Sequence, residues 1–115
     1  MIEQKNPLIL AFIGDAVQTL FVRTRFVDTD AKIGVLHRQS SQIICARAQA
    51  KKFDTVSKNF TPTEVEIATR ARNAKSNTAP KNCTLGEYHK ATALEAVIGY
   101  NYLVGNTQRA EELCL

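Results

Sequence analysis

Three helix starts are written plainly into this 115-residue chain, and almost nothing in it argues for a strand. Asn6-Pro7 pairs an N-cap residue with a proline at the first helical position, where a missing N–H loses no hydrogen bond. Thr61-Pro62-Thr63-Glu64 and Thr84-Leu85-Gly86-Glu87 are capping boxes, in which a Thr hydroxyl and a Glu carboxylate satisfy each other's free backbone N–H groups. Sustained apolar/polar alternation, Asn-Gly and Asp-Gly are all missing from the sequence. The fold class this predicts is all-α, a small helical bundle. Helices are expected from 7 to about 27, from about 35 to 57 with a break near Ser40-Ser41, from 62 to about 73, and from 85 to about 103, where Gly105 can end the run. Asn106 or Thr107 then caps a short last helix.

The length suits one domain, residues 1–115, and a 44% hydrophobic content is enough for an ordinary core. Asp15, Gln18 and Arg23 interrupt the longest apolar stretch before it reaches the roughly 20 residues of a bilayer span. A soluble, cytoplasmic protein without a membrane partner is therefore expected. Cys45, Cys83 and Cys114 are odd in number and widely spaced, which points to free thiols and away from a disulfide framework or thiolate zinc site. His37 and His89 have no ligand-type neighbour at metal spacing.

The net charge of +4 is unevenly distributed. Between Arg47 and Lys90 there are nine basic residues against four acidic ones, while the rest of the chain carries six against seven. The densest part, ATRARNAKSNTAPKN (68–82), has four cations and no anion. Such a patch attracts polyanions by neutralising phosphates and releasing counterions, although a solvated loop has the same composition.

Two acids stand out against apolar surroundings. In AFIGDAVQTLFVR (11–23), Asp15 lies among Phe12, Ile13, Val17 and Leu20, with no Lys or Arg before Arg23. In TALEAVIGYNYLVG (92–105), Glu95 lies among Leu94, Ala96, Val97 and Ile98. Neither has a basic partner at i±4, so each must escape to solvent at a helix edge or find a counter-charge elsewhere. If the two long helices pack together, the acids repel unless a hard divalent cation sits between them. Mg²⁺ prefers carboxylate oxygens and retains waters that can reach a phosphate.

FIGDAV (12–17) resembles the signature helix of ribonuclease III catalytic domains, and ALEAVIGYNYL (93–103) resembles that family's second motif. RARNAKSNTAPKN (70–82) and LHRQSSQIICARAQA (36–50) are similar to the Mini-III subfamily, a ribonuclease III domain without an attached double-stranded-RNA-binding domain. The larger enzymes of the family carry a Glu four residues before the signature Asp and an Asp three residues before the second-motif Glu. Here those positions hold Ala11 and Thr92, so only Asp15 and Glu95 transfer as catalytic metal ligands. The resemblance implies a homodimer that cleaves double-stranded RNA with Mg²⁺ (Mn²⁺ as a substitute), leaving 5′-phosphate and 3′-hydroxyl ends. It also implies the 23S ribosomal RNA precursor as substrate. Arg70, Arg72, Asn73, Lys75, Ser76 and Lys81 would then grip the RNA, with Asn77 beside them and Arg47, Lys51 and Lys52 as outer contacts. The competing expectation is a degenerate RNA-binding module that lost its chemistry with the two missing acids.

Overall fold

The computed structural model describes residues 1–74 and 78–115, and within them the regular structure is helical. In order come a 3-10 turn at Ile2–Gln4, α1 (Pro7–Thr24), α2 (Ile33–Ile44), α3 (Ala46–Val56), a 3-10 turn at Ser57–Asn59, α4 (Pro62–Ala74), α5 (Leu85–Leu103) and α6 (Thr107–Cys114). The expected starts are made by the expected atoms. Asn6 Oδ1 accepts from the Leu8 N–H at 2.9 Å. Thr61 and Glu64 exchange bonds of 2.9 and 3.1 Å, and Thr84 and Glu87 bonds of 2.8 and 3.1 Å. Gly105 ends α5 at a φ of 87°, the left-handed conformation that favours glycine.

Two boundaries differ from expectation. α1 stops at Thr24 and passes into a turn at 25–28. The break in the second helical stretch falls at Cys45 instead of Ser40-Ser41. Ser40 is accommodated inside α2 because its hydroxyl donates to the His37 carbonyl, whereas Cys45 is extended, at φ −65° and ψ 156°. Gln49 makes that break affordable: its side-chain Nε2 donates to the Ile44 carbonyl at 2.7 Å, capping the end of α2.

α5 is the axis of the core, and its neighbours are α1, α3, α4 and α6. It is buried through Ala91–Leu94 in sequence order, then at Ala96, Val97, Ile98, Gly99 and Asn101. The side chains that enclose it include Leu10 and Val17 from α1, Phe53 from α3, Ile67 from α4 and Leu113 from α6. Full burial of each such leucine or isoleucine contributes about 2 kcal/mol. By length and composition α1 would pass for a membrane span, but Leu10, Val17 and Val22 lie in this core.

A buried polar knot ties three of these helices. Glu64 of α4, 2% exposed, accepts from Asn101 Nδ2 of α5 at 2.8 Å and from Arg109 of α6 at 2.9 and 3.2 Å. Burial pushes the Glu64 carboxyl up, but bonds from Arg109, the Thr61 N–H and Asn101 outweigh it and hold the group below its ordinary value. The interhelix bonds to Arg109 and Asn101 could not be read from the capping box alone.

Candidate active site

The site begins where α1 crosses α5. A Cβ on Gly14 would overlap the Glu95 carbonyl oxygen, and one on Gly99 would overlap the Leu10 carbonyl oxygen. Only glycines allow the two backbones to come this close. The consequence is chemical: Asp15 follows the glycine that touches the Glu95 backbone, so the first acid is carried to the second.

Both acids line one cavity of about 330 Å³. Asp15 is exposed and Glu95 half-buried, so Asp15 is an acid at the cavity surface and not one sunk in the core. The α2–α3 junction contributes Ile44, Cys45, Ala46 and Gln49 to the wall; α5 contributes Tyr88, Ala91 and Thr92. Residues 80–83 close the remaining side and bring Lys81 and Cys83 to it.

The two positions where acids are missing are filled differently. Ala11 packs into the hydrophobic core, while Thr92 is buried in the cavity wall and its hydroxyl donates to the Tyr88 carbonyl at 3.0 Å. Among the described residues no group of three or more His, Cys, Asp or Glu side chains forms a ready metal cage. Two carboxylates and a neutral amide on an open wall suit a hard cation that keeps part of its hydration shell, as Mg²⁺ does, better than a cation demanding a full protein cage.

The expected RNA-binding residues separate in position. Lys81 is exposed and borders the acids. Arg72 is exposed on α4 with its guanidinium 5.6 Å from the centre of the Phe53 ring, and Asn73 is exposed one residue on. Arg70 is half-buried: it donates to the Glu3 carbonyl and, at 3.4 Å, to the Lys5 carbonyl, and pairs with Glu66 at 4.0 Å. Its guanidinium ties α4 to the N-terminal turn. Lys75, Ser76 and Asn77 lie outside the described residues. Of the outer contacts, Arg47 pairs with Glu87 at 3.6 Å, Lys51 is exposed and Lys52 is half-buried. Burial lowers the Lys52 ammonium below its usual range; Cys114 pulls it back up and Arg25 pushes it down further.

Sequence reasoning did not single out Gln49, Cys45 or Cys83 for this cavity. Cys83 had a usable signal, since it lies two residues past Lys81 in the basic loop. Gln49 had none, because its place depends on where α2 breaks.

The ribonuclease III domain family matches residues 8–106. A Mini-ribonuclease 3 from Clostridium tetani is 40% identical over 114 residues, covering 97% of this chain and 76% of the relative. Another Mini-ribonuclease 3, from Staphylococcus aureus, is 41% identical over 111 residues, covering 94% and 83% of the two chains. A crystal structure of a protein from Fusobacterium nucleatum superposes with a TM-score of 0.89 at 31% identity, covering 96% of this chain and 89% of that one. With its two glycine-crossed motif helices and these relatives along nearly its whole length, the chain belongs to the ribonuclease III family, in its Mini-III branch.

Proposed function

We propose that this endoribonuclease of the ribonuclease III family hydrolyses phosphodiester bonds in double-stranded RNA, with Asp15 and Glu95 as its catalytic pair and as the ligands of a Mg²⁺ ion. The observation that carries the reading is the juxtaposition of these acids on one cavity wall through the Gly14–Glu95 contact. Asp15 and Glu95 would hold a divalent cation there, which would supply Lewis-acid polarisation of the scissile phosphate and activation of the attacking water. The chain's own residues hold and orient. Asp15 and Glu95 present oxygen ligands from two helices that cannot move apart independently, and Lys81 offers a cation to a phosphate entering over the rim. Arg72 and Asn73 extend the basic surface along α4, and Lys75 and Ser76 belong to the same proposed RNA-gripping segment. Mn²⁺, with similar oxygen preference, substitutes for Mg²⁺.

The active assembly is a homodimer in which residues 1–115 form one catalytic unit per protomer. Ile9, Phe12 and Leu20 support this reading: they recur along one face of α1 and are exposed in the single chain, Phe12 by 76%. The proposed natural substrate is the precursor of 23S ribosomal RNA in the cytoplasm, by resemblance to the Mini-III subfamily. A non-cleaving RNA-binding dimer is the second reading, favoured by Ala11 and by the Thr92 hydroxyl already bonded to Tyr88.

One experiment separates the readings: a labelled RNA duplex is incubated with wild type, Asp15→Asn and Glu95→Gln in Mg²⁺, in Mn²⁺ and in chelator. Metal-dependent cutting by wild type, lost in both variants while duplex binding remains, supports the enzyme. Binding without cutting in every metal supports the scaffold.

A further inference from the structure

Gln49 is 4% exposed and lines the cavity that holds Asp15 and Glu95. Its amide is oriented by chemistry: Nε2 donates to the Ile44 carbonyl at 2.7 Å, and the reversed amide would face two oxygens together. The other arm, Oε1, is buried with no hydrogen-bond donor. An acceptor left unmet in a protein wall is destabilising, and such groups are few in folded proteins. Gln18 also has a buried, donorless Oε1, but it does not border the cavity.

Asp15 and Glu95 are the acids among the residues that line the cavity. A cation held by two carboxylates keeps more of its water, and each retained water needs an acceptor to fix its direction. Thr92 gives its proton to Tyr88, which leaves its oxygen as one acceptor on the α5 side. Gln49, from the α2–α3 junction, lines the same cavity, and its Oε1 is a neutral acceptor with no donor. Being neutral, it orients a water without removing its proton.

We propose that Gln49 is a positioning residue of the cation site: its Oε1 accepts a hydrogen bond from a water of the hydrated cation held by Asp15 and Glu95, while its Nε2 anchors it to the α2–α3 break. The proposal rests on the metal-site reading above. It gives the break at Cys45 a purpose, since the backbone group that Gln49 caps is the one that fixes the direction of its own acceptor.

The test is Mn²⁺ binding to the full chain, followed by loss of the free-ion electron paramagnetic resonance signal, with melting temperature measured separately in chelator. Gln49→Met keeps the length and removes both polar atoms; Gln49→Glu keeps an acceptor but gives up the donor to Ile44. Both variants melt lower in chelator, because both lose the Ile44 bond. The proposal expects Gln49→Met to bind Mn²⁺ about 10-fold more weakly and Gln49→Glu to bind at least as tightly as wild type. A purely structural glutamine predicts that the two variants shift together. Unchanged affinity in Gln49→Met, or equal weakening in both, overturns the proposal. Should Gln49→Met fail to fold, weaker binding by Gln49→Glu alone overturns it. Asp15→Asn is the control: if it binds Mn²⁺ like wild type, the metal site itself is wrong and this inference goes with it. If Asp15→Asn loses binding while Gln49→Met does not, only the role of Gln49 falls.

Discussion

Gly14 rests against the backbone carbonyl of Glu95, with no room for a methyl group between them. The spacing of the two proposed catalytic acids and the packing of the core are thus decided at the same contact. Gly14→Ala should force α1 and α5 apart, cost about 3 kcal/mol by overpacking, and separate the acids. Urea unfolding gives the first quantity and duplex cleavage the second. Gly99→Ala, against Leu10, should behave alike. Gly34→Ala, within α2 and with open space around its Cβ position, should leave cleavage unchanged and raise stability slightly through helix propensity.

Arg109 holds the buried Glu64 charge, and its loss should leave that charge without its strongest partner. Arg109→Met is expected to cost about 3 kcal/mol in a denaturant titration. The pH dependence has a definite sign. The Glu64 pKa is depressed in the folded state, so its stabilisation is fully present above the ordinary glutamate value of 4.5 and is lost as pH falls through the lower folded value. Melting temperatures of wild type should therefore fall in acid more steeply than those of Glu64→Gln.

Lys81 and Arg70 are both cations of the basic segment, but the structure uses them differently. Lys81→Ala should reduce the slope of log affinity against log salt for an RNA duplex by up to about one. Arg70→Ala should leave that slope nearly unchanged and lower the melting temperature, because its guanidinium is occupied with the carbonyls of Glu3 and Lys5.

The three thiols should divide into two classes. Cys45 is exposed and Cys83 half-buried at the cavity, whereas Cys114, the last residue of α6, is buried and its pKa is pushed up to about 12 by burial, against the pull of Lys52. A coloured aromatic disulfide should titrate two thiols in the native protein and the third only after unfolding. Labelling at the cavity should slow cleavage, and Cys45→Ala/Cys83→Ala should be immune to that slowing.

If Phe12, Ile9 and Leu20 bury themselves against a second copy, Phe12→Asp should convert a dimer to a monomer in analytical ultracentrifugation. A wild type that sediments as a monomer would remove the dimer from the proposal.

Helix starts were legible in the sequence because their causes are local: a cap, a proline and a glutamate within four residues determine them. The cavity was legible only in part. Asp15 and Glu95 could be picked out as acids with no Lys or Arg at i±4, and the motif resemblance joined them. The glycine contact that brings them together depends on two backbones far apart in the chain. Ser40-Ser41 looked like a helix breaker, yet Ser40 satisfies its hydroxyl within α2, and the break belongs to Cys45 through a side chain four residues later. Arg70 read as an RNA contact by its company of cations; its structural contacts lie on the N-terminal turn, which no local pattern announces.

The two acids stand on the first and the fifth helices, and the contact that joins them forms only when both are complete. A chain emerging from the ribosome therefore does not bring these two carboxylates together until α5 has been synthesised. On the proposed assignment of Asp15 and Glu95 as the catalytic pair, late assembly is a form of containment: unfinished copies would be chemically disarmed.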